Sequence, residues 1–272
     1  GTTDQVSPRV NFLYRLSNAT EIRLGWGKFA QTEGIHELKI SDGLTKFQLP
    51  QESTHGVFSI MHVFDSGLRI RLEAYRKKGV DNSDYYENLT NSLTLIPELQ
   101  VDRYVIKPDD FAAKGVELAV DGYTRRFDWW LNYSFSSAKD EIEGINTSRS
   151  WDQENSANAG ISAGWGGWQH TFSASYHSGW PTTPLSLNED GVVEAAKRNG
   201  SRFSYYLVLD YKTVKSWQFS NGRSLRLEVG VTNLLNRQNQ VGLEYSLKNG
   251  ILVTEEKDSL QLAPFLDIYW RF

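Results

Sequence analysis

No cysteine occurs among the 272 residues, so neither a disulfide nor a thiolate metal site is available to this chain. Long apolar runs are missing too, and none approaches the ~18 residues that a membrane-spanning helix needs. Their absence excludes a helical membrane protein and leaves β-barrels untouched, because barrel strands alternate rather than run apolar. Methionine is reduced to Met61, and the chain opens Gly1-Thr2-Thr3-Asp4 with no signal peptide in view. The N-terminus is therefore expected to be processed or cut. A net charge of −4 gives no nucleic-acid signature. Helical spacing is nowhere sustained.

Aromatics are abundant by contrast. They make up 13% of the chain, with 9 Trp, 13 Tyr and 13 Phe, against a polar mean hydropathy of −0.48. That combination suits a surface with one greasy face and aromatic belts at an interface. A soluble protein with a large aromatic core shares the composition, so the decision falls to patterning.

The patterning has period two, the strand period. Val10, Phe12, Tyr14 and Leu16 alternate with Arg9, Asn11 and Arg15. Leu68, Ile70, Leu72 and Ala74 alternate with Arg69, Arg71 and Glu73, and Leu225, Leu227 and Val229 alternate with Arg226 and Glu228. Eleven strands are predicted, at about 8–17, 20–30, 53–64, 67–78, 113–123, 126–138, 156–165, 168–178, 202–216, 223–236 and 262–272. Short turns alternate strictly with long loops, the latter at about 31–52, 79–112, 139–155, 179–201 and 237–261. A transmembrane barrel has this rhythm, with tight periplasmic turns and long extracellular loops. Most segments also reach the ~9–11 residues that a tilted strand needs to cross a bilayer.

A cation facing lipid at midplane costs ~2–4 kcal/mol, so the charged faces should point into a lumen and the apolar faces into lipid. Lys28 and Arg76 share parity with apolar faces but lie toward the long-loop ends, within reach of headgroups. The segment 53–64 is ambiguous, because Val57 and Met61 compete with Phe58, Ile60 and Phe64. At the chain end Leu266, Ile268, Trp270 and Phe272 alternate with Asp267, Tyr269 and Arg271. Ile268, Trp270 and the terminal Phe272 resemble the signal read by the barrel assembly machinery of bacterial outer membranes.

An odd strand count puts the two chain ends on opposite sides, whereas single-chain bacterial barrels normally have an even count. An open sheet would also leave two backbone edges unpaired in lipid. Residues 1–272 are accordingly expected to be the C-terminal portion of a longer barrel, with further strands before Gly1.

Four segments carry a family resemblance. Trp151-Asp152-Gln153 looks like a recurrent W-D-Q stretch, and Tyr176-His177-Ser178-Gly179-Trp180-Pro181-Thr182-Thr183 like a Y-H-S-G-W-P-T-T segment. Val231-Thr232-Asn233-Leu234-Leu235-Asn236-Arg237 resembles V-x-N-L-F-(D/N)-R, with Leu235 in place of the usual aromatic, and Pro264 to Phe272 closes the pattern. In this order they resemble the C-terminal part of TonB-dependent outer-membrane receptors. The resemblance implies an all-β transmembrane barrel of 22 strands, a plug domain in its lumen and coupling to the TonB complex. It implies uptake of a scarce ligand such as a ferric siderophore, cobalamin or an oligosaccharide. The plug and coupling motif, N-terminal in the family, would be absent from these residues.

No catalytic constellation is visible. His36, His55, His62, His170 and His177 are scattered, with no H-E-x-x-H pair. Asp109-Asp110 lacks the spacing of a calcium loop. Gly164-Trp165-Gly166-Gly167-Trp168 reads as a tight turn flanked by interfacial tryptophans rather than a phosphate loop. No cofactor and no metal is expected, and the chain reads as no enzyme.

The charged faces supply the candidates. Arg9, Arg15, Arg23, Arg69 and Arg71, with Glu21, Glu73, Glu117 and Asp121, would form a lumen wall that a plug can hydrogen-bond or that is merely hydrated. Ligand recognition should fall to the long loops, where Tyr85, Tyr86, Trp151, Trp180 and Tyr245 could stack on a sugar or siderophore. Interfacial anchoring would explain Trp180 as well. A passive porin is the alternative; it needs no plug, and the W-D-Q, Y-H-S-G-W-P and V-x-N-L-L-N-R segments argue against it.

Overall fold

The computed structural model describes residues 5–32, 34–35, 43, 45–47, 49–80, 84–88, 94–100, 103–220 and 222–272. His36 and part of the 31–52 and 79–112 loops lie outside them. Eleven long strands form one antiparallel meander: β1 (Arg9–Arg15), β2 (Thr20–Gln31), β3 (Gln51–Val63), β4 (Arg69–Val80), β7 (Asp110–Tyr123), β8 (Phe127–Ile142), β10 (Asn155–Trp165), β11 (Trp168–His177), β16 (Tyr206–Gln218), β17 (Ser224–Thr232) and β20 (Ala263–Arg271). Each is hydrogen-bonded to its neighbour in that order. The eleven match the eleven segments that alternation predicts. β1 and β20 are the two edges, and the sheet does not close on itself.

Register shows which side chains share a face, because directly opposed residues of an antiparallel pair point the same way. Leu13, Arg23, Ser59, Glu73, Glu117, Ser134 and Ser156 succeed one another across β1, β2, β3, β4, β7, β8 and β10. The adjacent row on the opposite face reads Phe12, Leu24, Phe58, Ala74, Val116, Phe135 and Asn155. The sheet is therefore polar on one face and apolar on the other across these seven strands, and the row Ile161, Phe172, Tyr211, Val231 and Pro264 carries the apolar face on to β20. Its apolar face is not covered: Phe12, Leu24, Phe58, Val116, Phe135, Phe172 and Leu266 are all exposed. The buried hydrophobic residues are only Tyr86, Ile106, Ala138 and Val208 among those described. A water-soluble fold would bury that face, whereas a lipid bilayer solvates it.

The pairing also resolves β3. Phe58 and Ile60 stand opposite Leu24 and Ile22 on the apolar face, while Val57 and Met61 stand opposite Gly25 and Glu21 on the polar one. Strand bounds differ from the expected ones where strands leave the apolar zone. β8 runs on to Ile142 and pairs with β9 (Ile145–Ser148), so part of the expected 139–155 loop is strand. Outside lipid a strand needs no apolar alternation, and Lys139-Asp140-Glu141 shows none. Ser201–Arg202 (β15) does not begin β16 but pairs with Pro181–Thr182 (β12).

At the short-turn end the connections are tight. Gly166 and Gly167 both have positive φ, +60° and +76°, the backbone that a two-residue I′ hairpin turn demands. Trp165 and Trp168 are opposed on either side of that turn, and Trp217 and Trp270 lie at the same end of β16 and β20 on the same face. They form an aromatic girdle. At the other end the long connections fold into small hairpins: β5 (Tyr85–Asn88) with β6 (Arg103–Ile106), β13 (Leu185–Leu187) with β14 (Val193–Ala195), and β18 (Gln240–Lys248) with β19 (Ile251–Asp258).

Candidate functional site

The long-loop end is held by a buried ionic cluster drawn from three connections. Arg198 donates from Nε to Glu87 Oε2 at 3.1 Å and from Nη2 to Glu87 Oε1 at 2.9 Å. The same Nη2 donates to the Tyr85 hydroxyl at 2.9 Å, and that hydroxyl donates to Asp140 Oδ2 at 2.6 Å. Asp140 is fully buried and accepts a further bond from Arg149 Nε at 2.8 Å. Ser150 Oγ donates to Glu87, and the Asn199 side-chain amide donates to the Ser148 carbonyl and to Ser150 Oγ. Carboxylates this buried are tolerable because each is paired and hydrogen-bonded.

Burial dominates the titration of Tyr85 and raises its pKa, with the Glu87 and Asp140 charges adding to the effect. For Arg198, burial opposes the charge. The hydrogen bond and charge of Glu87, aided by Tyr85 and Asp140, outweigh it and raise the pKa, so the guanidinium stays protonated.

A second lock explains the family-like motifs. Asp152 of Trp151-Asp152-Gln153 is buried; its Oδ1 accepts from the Ala138 amide and its Oδ2 from Arg202 Nη2. His177 stacks on Tyr206 and meets the tilted Trp180 ring, with centroids at 4.7 and 4.6 Å, and bonds the Ser178 carbonyl through Nδ1. Asn233 is buried with φ +51°. Its side chain donates to the Arg237 and Leu260 carbonyls and accepts from the Arg237 amide. These motif residues fasten strand ends to loops.

Beneath the locks, on the polar face, lies a recess of about 280 Å³ lined by Tyr75, Lys77, Phe111, Arg149, Trp151 and Asp152, among others. The Arg149 guanidinium lies 4.7 Å from the Phe111 ring centroid, 5.6 Å from Trp151 and 5.7 Å from Tyr85. Trp151 remains 54% exposed, so it is the aromatic of this group most open to a ligand.

The five aromatics expected in the loops thus have different situations. Tyr85 and Trp151 meet around Arg149, but the Tyr85 hydroxyl is consumed by the ionic cluster. Tyr86 is buried, Trp180 packs on His177, and the Tyr245 hydroxyl accepts from the Leu185 amide. Arg149, Arg198, Asp140 and Glu87 are what sequence reasoning misses. Arg149 and Arg198 stand outside any strand, Glu87 is in the short β5 and Asp140 in the part of β8 that shows no apolar alternation, so no periodicity joins them.

The charged wall residues share the polar face. Arg9, Arg15, Arg23 and Glu21 are placed there by the β1–β2 register, and Arg69, Arg71, Glu73, Glu117 and Asp121 by the β4–β7 register. Glu73 and Glu117 are directly opposed, and Arg69 pairs with Asp121 at 3.0 Å. Recesses of about 580 Å³ (Arg9, Asn11, Arg23, Glu73) and 250 Å³ (Arg71, Glu117, Asn132, Asn158) dimple this wall. Ile268 and Trp270 lie on the apolar face, and Phe272 is 94% exposed with its ring edge-on to Trp270. Among the described residues no group of three His, Asp or Glu could hold a metal.

An antiparallel wall with one apolar face, one charged face and folded loops at one end has the fold of a section of an outer-membrane β-barrel. Solved structures share this fold. The ferripyoverdine receptor of the outer membrane of Pseudomonas aeruginosa, bound to ferripyoverdine, matches 97% of this chain at 15% identity with a TM-score of 0.60. The ferric citrate transporter FecA in its unliganded form matches 96% at 13% identity and 0.63, and the copper transporter OprC 97% at 14% and 0.63. The chain spans 33%, 37% and 38% of those proteins, about a third of their length. No family model and no curated protein sequence matches it.

Proposed function

We propose that this chain is the C-terminal portion of a TonB-dependent outer-membrane receptor that takes up a scarce small ligand. The observation that carries the reading is the match of fold over nearly the whole chain to receptors and transporters of iron chelates and copper. The polar face supports a plug in the lumen: opposed Glu73 and Glu117 with Arg71 beside them leave charge for another surface to satisfy. Arg9, Arg15, Arg23, Arg69 and Asp121 extend that surface. Ligand contact falls to the recess under the loops, with Trp151 and Arg149 offering a ring and a cation. A ferric siderophore, cobalamin or an oligosaccharide would each use that pairing. Ile268, Trp270 and Phe272 serve as the mark for the barrel assembly machinery.

The test is uptake by cells carrying the full gene product, with labelled ferric siderophores, cobalamin and maltooligosaccharides as the panel. Uptake of one member that disappears on deletion of TonB supports the receptor. Uptake that persists without TonB and under an uncoupler means a passive porin and sinks this reading.

A further inference from the structure

The apolar face carries no charge across its middle, and its cations gather at two places. At the short-turn end Lys215 stands over the Trp168 and Trp217 rings, at 5.4 and 5.3 Å. At the long-loop end five cations crowd one stretch of wall. Arg76 on β4 and Lys114 on β7 are direct partners in one row. Lys28, Lys78 and Lys139 occupy the next row, separated only by Thr54 and Ala112. Lys78 is paired with Asp110 at 3.0 Å, and the other four have no carboxylate in ion-pair reach among the described residues. Glu52, Asp110 and Glu141 lie one row farther out.

Two further observations mark this as a site. A groove of about 370 Å³ opens between Lys28, Arg76 and Lys78, floored by Thr54 and by Gly56, above which space is open; Glu52 stands at its outer rim, one carboxylate against three cations. The cluster is also local: on β10, β11, β16, β17 and β20 the outer-facing residues toward the long-loop end include no cation. Cations that merely snorkel to headgroups would have no reason to collect on four strands of eleven.

Height agrees. Arg76 and Lys114 stand roughly eight residues from the short-turn ends of their strands, a rise of about 20 Å on strands tilted ~40°. That is near the outer edge of the ~25 Å apolar band, at headgroup depth. From Lys28 to Lys139 the cluster crosses four strand spacings, about 19 Å, wider than one phosphate.

We propose that this cluster binds an outer-leaflet glycolipid with two or more phosphates on its sugar headgroup. The phosphates sit among Lys28, Arg76, Lys78 and Lys114. The acyl chains pass over the row Leu24, Phe58, Ala74 and Val116 just below, of which Leu24, Phe58 and Val116 are exposed. The proposal rests on the outer-membrane reading of the fold.

The experiment places the full gene product in phosphatidylcholine nanodiscs doped with diphosphoryl lipid A, with phosphatidylglycerol, or with neither, and counts bound lipid by native mass spectrometry. Diphosphoryl lipid A is expected to stay bound about one per chain. The triple variant Lys28→Gln/Arg76→Gln/Lys114→Gln should lose it about tenfold. Lys28→Arg/Lys114→Arg and Lys212→Gln, the latter on the polar face, should keep it. Equal retention by the triple variant, equal retention of phosphatidylglycerol, or full displacement by inorganic pyrophosphate overturns the site. Protease protection on the same discs reports insertion separately. Protein that does not insert defeats the outer-membrane reading and the site with it, whereas inserted protein indifferent to the triple substitution defeats the site alone.

Discussion

Arg198 grips Glu87 with two parallel hydrogen bonds, 3.1 and 2.9 Å, across 111 residues of sequence. Both side chains are only 11% exposed. Removing one partner of a buried pair leaves the other charge stranded, which costs on the order of 3–5 kcal/mol. Arg198→Ala should therefore free the β5–β6 hairpin and the 178–205 connection together. Hydrogen exchange should show both protections falling in step while the β7–β8 ladder stays protected. Loss in one loop only would mean that the pair does not couple them.

Tyr85 supplies a pH prediction. Its folded pKa is raised above the unfolded value near 10, mainly by burial. A raised pKa contributes stability that is whole below pH ~10 and is lost as pH climbs through the folded value. The loop cluster should thus hold through neutral and mildly alkaline pH and fail above it. Ultraviolet titration of the protein against Tyr85→Phe checks this. If the missing phenol titrates near pH 10, the hydroxyl is not held as described.

Leu118 and Ala119 are neighbours in β7 on opposite faces. Leu118→Arg puts a cation into the apolar band, at ~2–4 kcal/mol if lipid lies there. Ala119→Arg puts one on the charged face at little cost. Denaturant unfolding in lipid should separate them clearly, and equal penalties would mean the faces are wrongly assigned.

Gly179 sits where a Cβ would lie 1.8 Å from the Phe203 carbonyl oxygen. Backbone cannot step aside as a side chain can, so Gly179→Ala should destabilise by about 1–3 kcal/mol. The β12–β15 pair should open first, because Phe203 and Trp180 hold its ends through a backbone hydrogen bond. A lower temperature for loss of heat-modifiable gel mobility, with β10–β11 still formed, is the expected result.

How much of this was legible in the sequence depends on what each residue answers to. Leu72, Leu118, Leu131 and Ile161 answer to lipid, which accepts only one face chemistry, so alternation located all eleven strands. Phe58 and Val57 answer to their neighbours on β2 and β4, and no reading of 53–64 alone could assign them. Asp140 and Arg198 answer to partners in other loops; neither has a local pattern, and their bond is a fact of tertiary structure. The resemblance motifs were visible as words but not as parts. Asp152, His177 and Asn233 are fasteners, and nothing in their spacing says so.

Every hydrogen-bonded pairing between the eleven spanning strands joins neighbours along the meander, so the wall can be laid down one hairpin at a time with little loop-closure entropy at each step. The Arg198–Glu87 bond is of another kind. Glu87 follows β4, Arg198 follows β11, and β7, β8, β10 and β11 must be in place before the two can meet. The cluster over the long-loop end is thus a late event in folding, and its formation reports that the wall beneath it is already built.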